Sequence, residues 1–168
     1  MKRIYPLFLT AIVMLCTILA CGDDDDGVME RPDNTSVNYQ LTLSDWLLIY
    51  YDVEVTYQDV HGVEHTERVD NLNWQFKDKD QGELKNFYLK AVATSRGQFP
   101  TLSDSLKTMV FSCDYRAEYY SKKTSAKSIH QTPYRTTVKK ENIETFVNSN
   151  PTIKLFECTY KNLSTLDE

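Results

Sequence analysis

The chain has 168 residues, a formal net charge of −5, and 12% aromatic residues, including eleven Tyr, with only five Gly. That length suits one domain with a real buried core. The acidic balance argues against general nucleic-acid binding, and the aromatic content argues against disorder.

The chain opens with Lys2 and Arg3, followed by an apolar run from residue 4 to residue 20 that ends in Ala20. This is the anatomy of a cleaved secretory signal, residues 1–20. A retained spanning helix fits less well, because the run is slightly short, carries Pro6 and meets four aspartates. Ile18-Leu19-Ala20-Cys21 resembles the lipobox of bacterial lipoproteins, in which the cysteine is acylated and becomes the new amino terminus. Two or three acyl chains on Cys21 suffice for stable anchoring. Asp23, Asp24, Asp25 and Asp26 then resemble the acidic export signal of surface-exposed lipoproteins of the Bacteroidetes. The resemblance implies an outer-membrane, lipid-anchored protein displayed on the cell surface, with a periplasm-facing anchor as the alternative. Residues 21–36 read as the lipidated cysteine and a solvated tether.

Residues 37–160 read as a single domain. Val37, Tyr39, Leu41 and Leu43 alternate with polar residues, a period-two strand. Trp46 to Tyr57 reads as the strongest strand, with Ile49, Tyr51, Val53, Val55 and Tyr57 on one face. Asp59-Val60-His61-Gly62 has hairpin-turn chemistry, and Val63 to Val69 is the returning strand. Residues 70–83 read as a loop carrying Trp74 and Phe76, before a charged turn at Asp78-Lys79-Asp80-Gln81-Gly82. Leu84 to Thr94 is a strand with Phe87, Leu89, Ala91 and Ala93 in phase. A loop spans Arg96 to Ser105.

Leu106 to Tyr120 alternates clearly and turns Cys113 toward the core. Ser121 to Pro133 reads as a polar loop, and Tyr134 to Lys139 as a short strand. Glu141 to Asn148 holds the one helical signature, with Ile143, Phe146 and Val147 at helical spacing. Thr152 to Tyr160 closes as a strand. Its phase changes between Leu155 and Phe156, which predicts a bulge or burial on both faces. Residues 161–168 read as a tail.

Six or seven strands with turn signals between them predict an all-β domain with one short helix: an immunoglobulin-like antiparallel β-sandwich, or alternatively a small β-barrel. The stretch from Tyr51 to Trp74 is similar to small Bacteroidetes lipoproteins; the resemblance implies a sandwich and brings no activity with it.

Motifs for chemistry are sparse. There is no Gly-x-Ser-x-Gly, Gly-rich phosphate loop or His-Glu-x-x-His. His61 and His65 flank the hairpin turn near Asp59, Glu64 and Glu67, but no third ligand has a telling spacing, so neither a metal nor any other cofactor is expected. If Cys16 leaves with the signal and Cys21 is acylated, Cys113 and Cys158 remain, to pair as a disulfide or to stand as two buried thiols. From Leu106 to Lys140 eight basic residues face two acids. Within that segment Lys122, Lys123 and Lys127 form a candidate patch for an anionic partner or simply a solvated loop. Trp74 and Phe76 are candidate ligand contacts, or cover for an open end of the sandwich. Asp104-Ser105-Leu106 resembles the O-glycosylation motif of Bacteroidetes exported proteins, with Ser105 as acceptor. The functional expectation is a non-catalytic surface module binding a glycan or a protein partner. The alternatives are an accessory subunit of an outer-membrane complex and, third, an enzyme.

Overall fold

A computed structural model describes residues 34–81, 86–121 and 124–161. The readings placed on the signal segment, Cys21, Asp23–Asp26, Lys122, Lys123 and residues 162–168 lie outside the described residues. Eight strands form two antiparallel four-stranded sheets: β1 (Asn34–Leu43), β2 (Tyr51–Gln58), β3 (Glu64–Val69), β4 (Asn73–Gln81), β5 (Asn86–Ser95), β6 (Thr108–Ser121), β7 (Thr124–Lys139) and β8 (Thr152–Lys161). The first sheet has the order β4-β1-β6-β7 and the second β3-β2-β5-β8. The fold is an all-β sandwich, and the sheets do not close into a barrel. β1 is flanked by β4 on one side and by β6 of the late β6–β7 hairpin on the other.

Alternation builds the core. Val37, Tyr39, Leu41 and Leu43 of β1 and Met109, Phe111, Cys113, Tyr115, Ala117 and Tyr119 of β6 face Tyr51, Val53, Val55 and Tyr57 of β2 and Phe87, Leu89, Ala91 and Ala93 of β5, all buried. This is the interdigitated interior of two packed sheets. The phase change in β8 appears as a register shift opposite Ala91 and Val92, which pair with Phe156 and Lys154. Leu155 is the extra residue, and both it and Phe156 are buried. The β2–β3 turn also forms as its residues dictate: Gly62 sits at φ +78°, and Asp59 Oδ1 accepts the N–H groups of His61 and Val63, each at 2.9 Å.

Four expectations are corrected. Trp46 to Tyr57 is not one strand. Asp45–Tyr50 is a helix, α1, and the strand starts at Tyr51. Leu47 and Tyr50 are buried at helical spacing, Trp46 stacks on Tyr50 one turn away, and Ile49 is 38% exposed. Within residues 70–83, Asn73–Gln81 is strand and not loop, because β4 pairs with β1 through Leu41–Trp74 and Tyr39–Phe76. Within 121–133, residues 124–133 are not loop either, because they belong to β7, which runs to sixteen residues as an edge strand. Two of its residues, Thr132 and Pro133, bulge opposite Asp114, the kind of place where a sheet edge tolerates proline. Finally, β1 begins at Asn34, inside the segment read as tether. The expected helix near 141–148 forms as α2 (Ile143–Ser149), preceded by one 3-10 turn at Lys140–Asn142.

The connections sort to two ends. At the end where β1 starts lie the Asp59–Val63 turn, the ends of β4, β6 and β8 and the starts of β5 and β7. At the far end lie α1, the loop at 70–72, the loop at 96–107, and α2.

Candidate functional site

A concavity lies at the far end. It is a cleft of about 860 Å³ whose lining includes Leu106, Lys107, Thr108, Lys139, Lys140 and Glu144. Strand pairing creates it: Thr108 and Lys139 are partners where β6 begins and β7 ends, and the N–H of Lys140 donates to the carbonyl of Lys107 at 2.9 Å. The 3-10 turn and α2 then fold across. Ile143 and Val147 turn into the core, which leaves Glu141, Glu144 and Thr145 exposed.

The charges in the cleft differ in their commitments. Lys140 Nζ donates to the carbonyls of Leu102 and Ser103, at 3.4 and 3.0 Å, and reaches Asp104 at 3.2 Å. It therefore pins the 96–107 loop against the sandwich. Lys139 and Glu141 pair at 3.8 Å with both side chains mostly exposed, a contact worth little. Lys107 is exposed and takes no part in the ion pairs of the described residues. Glu141 and Glu144 stand three residues apart on one helical segment, on the same wall.

Trp74 and Phe76 lie on β4 with their rings turned between the sheets. Phe76 packs 4.3 Å from Tyr57 and 6.1 Å from Tyr39, centroid to centroid. Trp74 lies 5.2 Å from Tyr57, and its Nε1 donates to Glu67 at 3.1 Å. Both are half-buried. They cover the lateral seam between the β4 and β3 edges; they do not form a loop platform.

The two hairpin histidines point to separate carboxylates. His65 Nε2 lies 2.9 Å from Asp59, and His61 Nε2 lies 3.1 Å from Asp80. Among the described residues no group of three His, Cys, Asp or Glu is placed to hold a metal. Desolvation pushes the Asp59 carboxyl up, but hydrogen bonds from His65 and from the N–H groups of Val63 and His61 outweigh it and hold the carboxyl below its ordinary value.

Cys113 and Cys158 are free thiols in different sheets. Burial, with a smaller push from Asp114, raises the Cys113 thiol to about 12. Burial also raises Cys158, against a hydrogen bond with Tyr115. Ser105 sits exposed in the 96–107 loop, its Oγ 2.8 Å from that of Ser103. Lys127 falls on β7, at the end opposite the cleft. The sequence reading missed the cleft. Its one signal was Lys139-Lys140 running straight into the helical segment, with Lys107 at the start of the alternating strand.

No helix of the described residues is long and apolar enough to cross a membrane. No family model matches the chain, and a search of curated proteins finds no match. Fold and site together define an all-β sandwich with a charged, open cleft at one end.

Proposed function

We propose that the chain is a non-catalytic binding module, held at the outer membrane by acyl chains on Cys21 and displayed on the cell surface, that takes a glycan or protein partner in the far-end cleft. The observation that carries this is the cleft's position. Asn34, the first described residue, lies at one end of the sandwich, and the cleft opens at the opposite end. A tether on one end and a recess on the other is the layout a displayed receptor needs. The volume falls within the range of ligand pockets; Lys107, exposed and outside the ion pairs of the described residues, can meet an anionic group, and exposed Glu144 on the lining can accept from hydroxyls. The test is a glycan-array screen of the full chain beside its Lys107→Glu/Lys139→Glu variant. An array signal for acidic glycans that the variant loses supports the reading; equal binding by both chains overturns it. Mass spectrometry of the membrane-extracted protein tests the anchor, with a mature terminus at an acylated Cys21 as the expected outcome.

The same end also favours a second reading, an accessory subunit of an outer-membrane complex. Ile49, Leu72 and Phe99, three of the exposed large hydrophobics, all lie there. Ile49→Asp would then abolish co-purification with an outer-membrane protein and leave glycan binding unchanged.

A further inference from the structure

A second recess lies on the outer face of the first sheet, near the end where β1 starts. It measures about 280 Å³, and its lining includes Ser36, Asn38, Glu118, Tyr120, Lys127 and Ser128. Alternation dictates these neighbours. Val37 and Tyr39 turn inward, so Ser36 and Asn38 turn outward. Ala117 and Tyr119 turn inward, so Glu118 and Tyr120 turn outward. The register sets Ser36 beside Tyr120 and Asn38 beside Glu118, with Ser128 opposite Glu118 on β7.

Two features of this recess go beyond a solvated sheet face. The first is a chain of hydrogen bonds across three strands. Gln75 Nε2 donates to Asn38 Oδ1 at 3.0 Å, Asn38 Nδ2 donates to Glu118 Oε2 at 2.5 Å, and Arg116 pairs with the other oxygen of Glu118. These planar side chains are fixed in orientation before any ligand arrives. The second is Tyr120, a large aromatic ring left 48% exposed beside them, while most aromatic rings of the described residues pack in or against the core. A sugar ring has one face of C–H groups and a rim of hydroxyls. It is recognised by an exposed aromatic surface next to a few fixed polar groups on a rigid support. Asn38 and Arg116 already engage both oxygens of the Glu118 carboxylate, and Lys127, the cation of the lining, has an interaction of its own within the chain, so the recess makes no demand for a charged ligand. Its volume admits one sugar ring.

We propose that this recess is a saccharide subsite that takes a single uncharged sugar, with the C–H face on Tyr120 and the hydroxyls toward Glu118, Ser36 and Ser128. It is separate from the far-end cleft, and neither reading depends on the other.

The experiment is saturation-transfer NMR and calorimetry on the full chain with galactose, mannose, fucose, N-acetylglucosamine and N-acetylgalactosamine. At least one sugar is expected to bind with a Kd on the order of 1 mM. Tyr120→Ala weakens that binding about tenfold, and Tyr120→Phe, which keeps the ring, restores it. Glu118→Gln weakens it, and Lys107→Glu leaves it unchanged. Circular dichroism confirms that each variant is folded. The proposal is overturned if no sugar of the panel binds more tightly than about 10 mM, if Tyr120→Ala binds as well as the parent chain, or if the loss follows Lys107→Glu instead.

Discussion

Trp74 on the first sheet and Glu67 on the second are joined by a hydrogen bond from the indole Nε1 to the carboxylate, 3.1 Å long. The other oxygen of Glu67 accepts from the phenol of Tyr57. One carboxylate therefore ties β4 to the β2–β3 ladder at the seam where the two sheets would otherwise part. Glu67→Ala should lower stability by about 1–2 kcal/mol, the cost of two buried or half-buried donors losing their acceptor. Trp74→Phe should cost about 1 kcal/mol by the same reasoning. Urea unfolding of the two variants and their double mutant should reveal a coupling of at least ~0.5 kcal/mol. Strict additivity would mean that the bond does not join the sheets.

Asp59 makes the turn between β2 and β3 sensitive to acid. Its carboxyl lies below the ordinary range because hydrogen bonds from His65, Val63 and His61 overcome the desolvation that opposes them. The folded value is the lower one, so its contribution is present above the unfolded value, near 4, and is lost as pH falls through the folded value. Asp59→Ala should cost about 1–2 kcal/mol at neutral pH. It should also flatten the fall in stability below about pH 4. Chemical denaturation at stepped pH measures both. A variant with the same acid slope as the parent chain would show that other carboxylates set it.

The alkaline limit belongs to the core tyrosines. Burial raises the phenols of Tyr39, Tyr57 and Tyr115 far above their ordinary value, and raises that of Tyr51 to about 12. These folded values are the higher ones. Their stabilising contribution is intact below the unfolded value near 10 and is lost as pH rises toward the folded values. Each phenol steepens the loss by about 1.4 kcal/mol per pH unit in that window. Ultraviolet titration should show these tyrosines ionising only as the chain unfolds. Tyr39→Phe, which loses the 2.9 Å bond to the Gln58 carbonyl, should destabilise the chain at neutral pH while making the alkaline slope shallower. Reversible ionisation of every tyrosine in the folded chain would contradict this account.

Where one side of a strand is wet and the other dry, period two was enough to read the fold. The inward faces of β1, β5 and β6 follow it residue by residue, and the bulge at Leu155 shows as a change of phase. The edges were harder. β4 carries Lys77, Asp78, Lys79 and Asp80, and half of the residues of β7 are Thr, Ser or Lys, because an unpaired strand edge is protected by charge and polarity. Those same residues look like turns in a bare sequence. The helix α1 was hidden because Ile49, Tyr51 and Val53 happen to continue a strand phase. Its start signal was Ser44-Asp45, and the Ser44 hydroxyl does not cap the helix but accepts the N–H of Ser112 at 3.0 Å. Both recesses depend on strand register, which a sequence does not print. Lys107 and Lys139 lie thirty-two positions apart, and Asn38 and Glu118 eighty, and only the pairing of β6 with its neighbours makes them adjacent.

The two cysteines offer a test of how rigid the sandwich is. Cys113 lies on β6 with no exposed surface, and burial lifts its thiol to about 12. Cys158 lies on β8, half-buried, with Tyr115 as its hydrogen-bond partner. The thiolate is the reactive species, so neither residue should react quickly near neutral pH, and they should differ from one another. In the folded chain Cys158 should label slowly with an aromatic disulfide reagent. Cys113 should label only at the rate of global unfolding, and both should label at once in denaturant. Non-reducing peptide mapping should recover each as a thiol. A recovered Cys113–Cys158 bridge would require β6 and β8 to approach across the core, displacing the Tyr115 ring that stacks 4.3 Å from Phe156 between them.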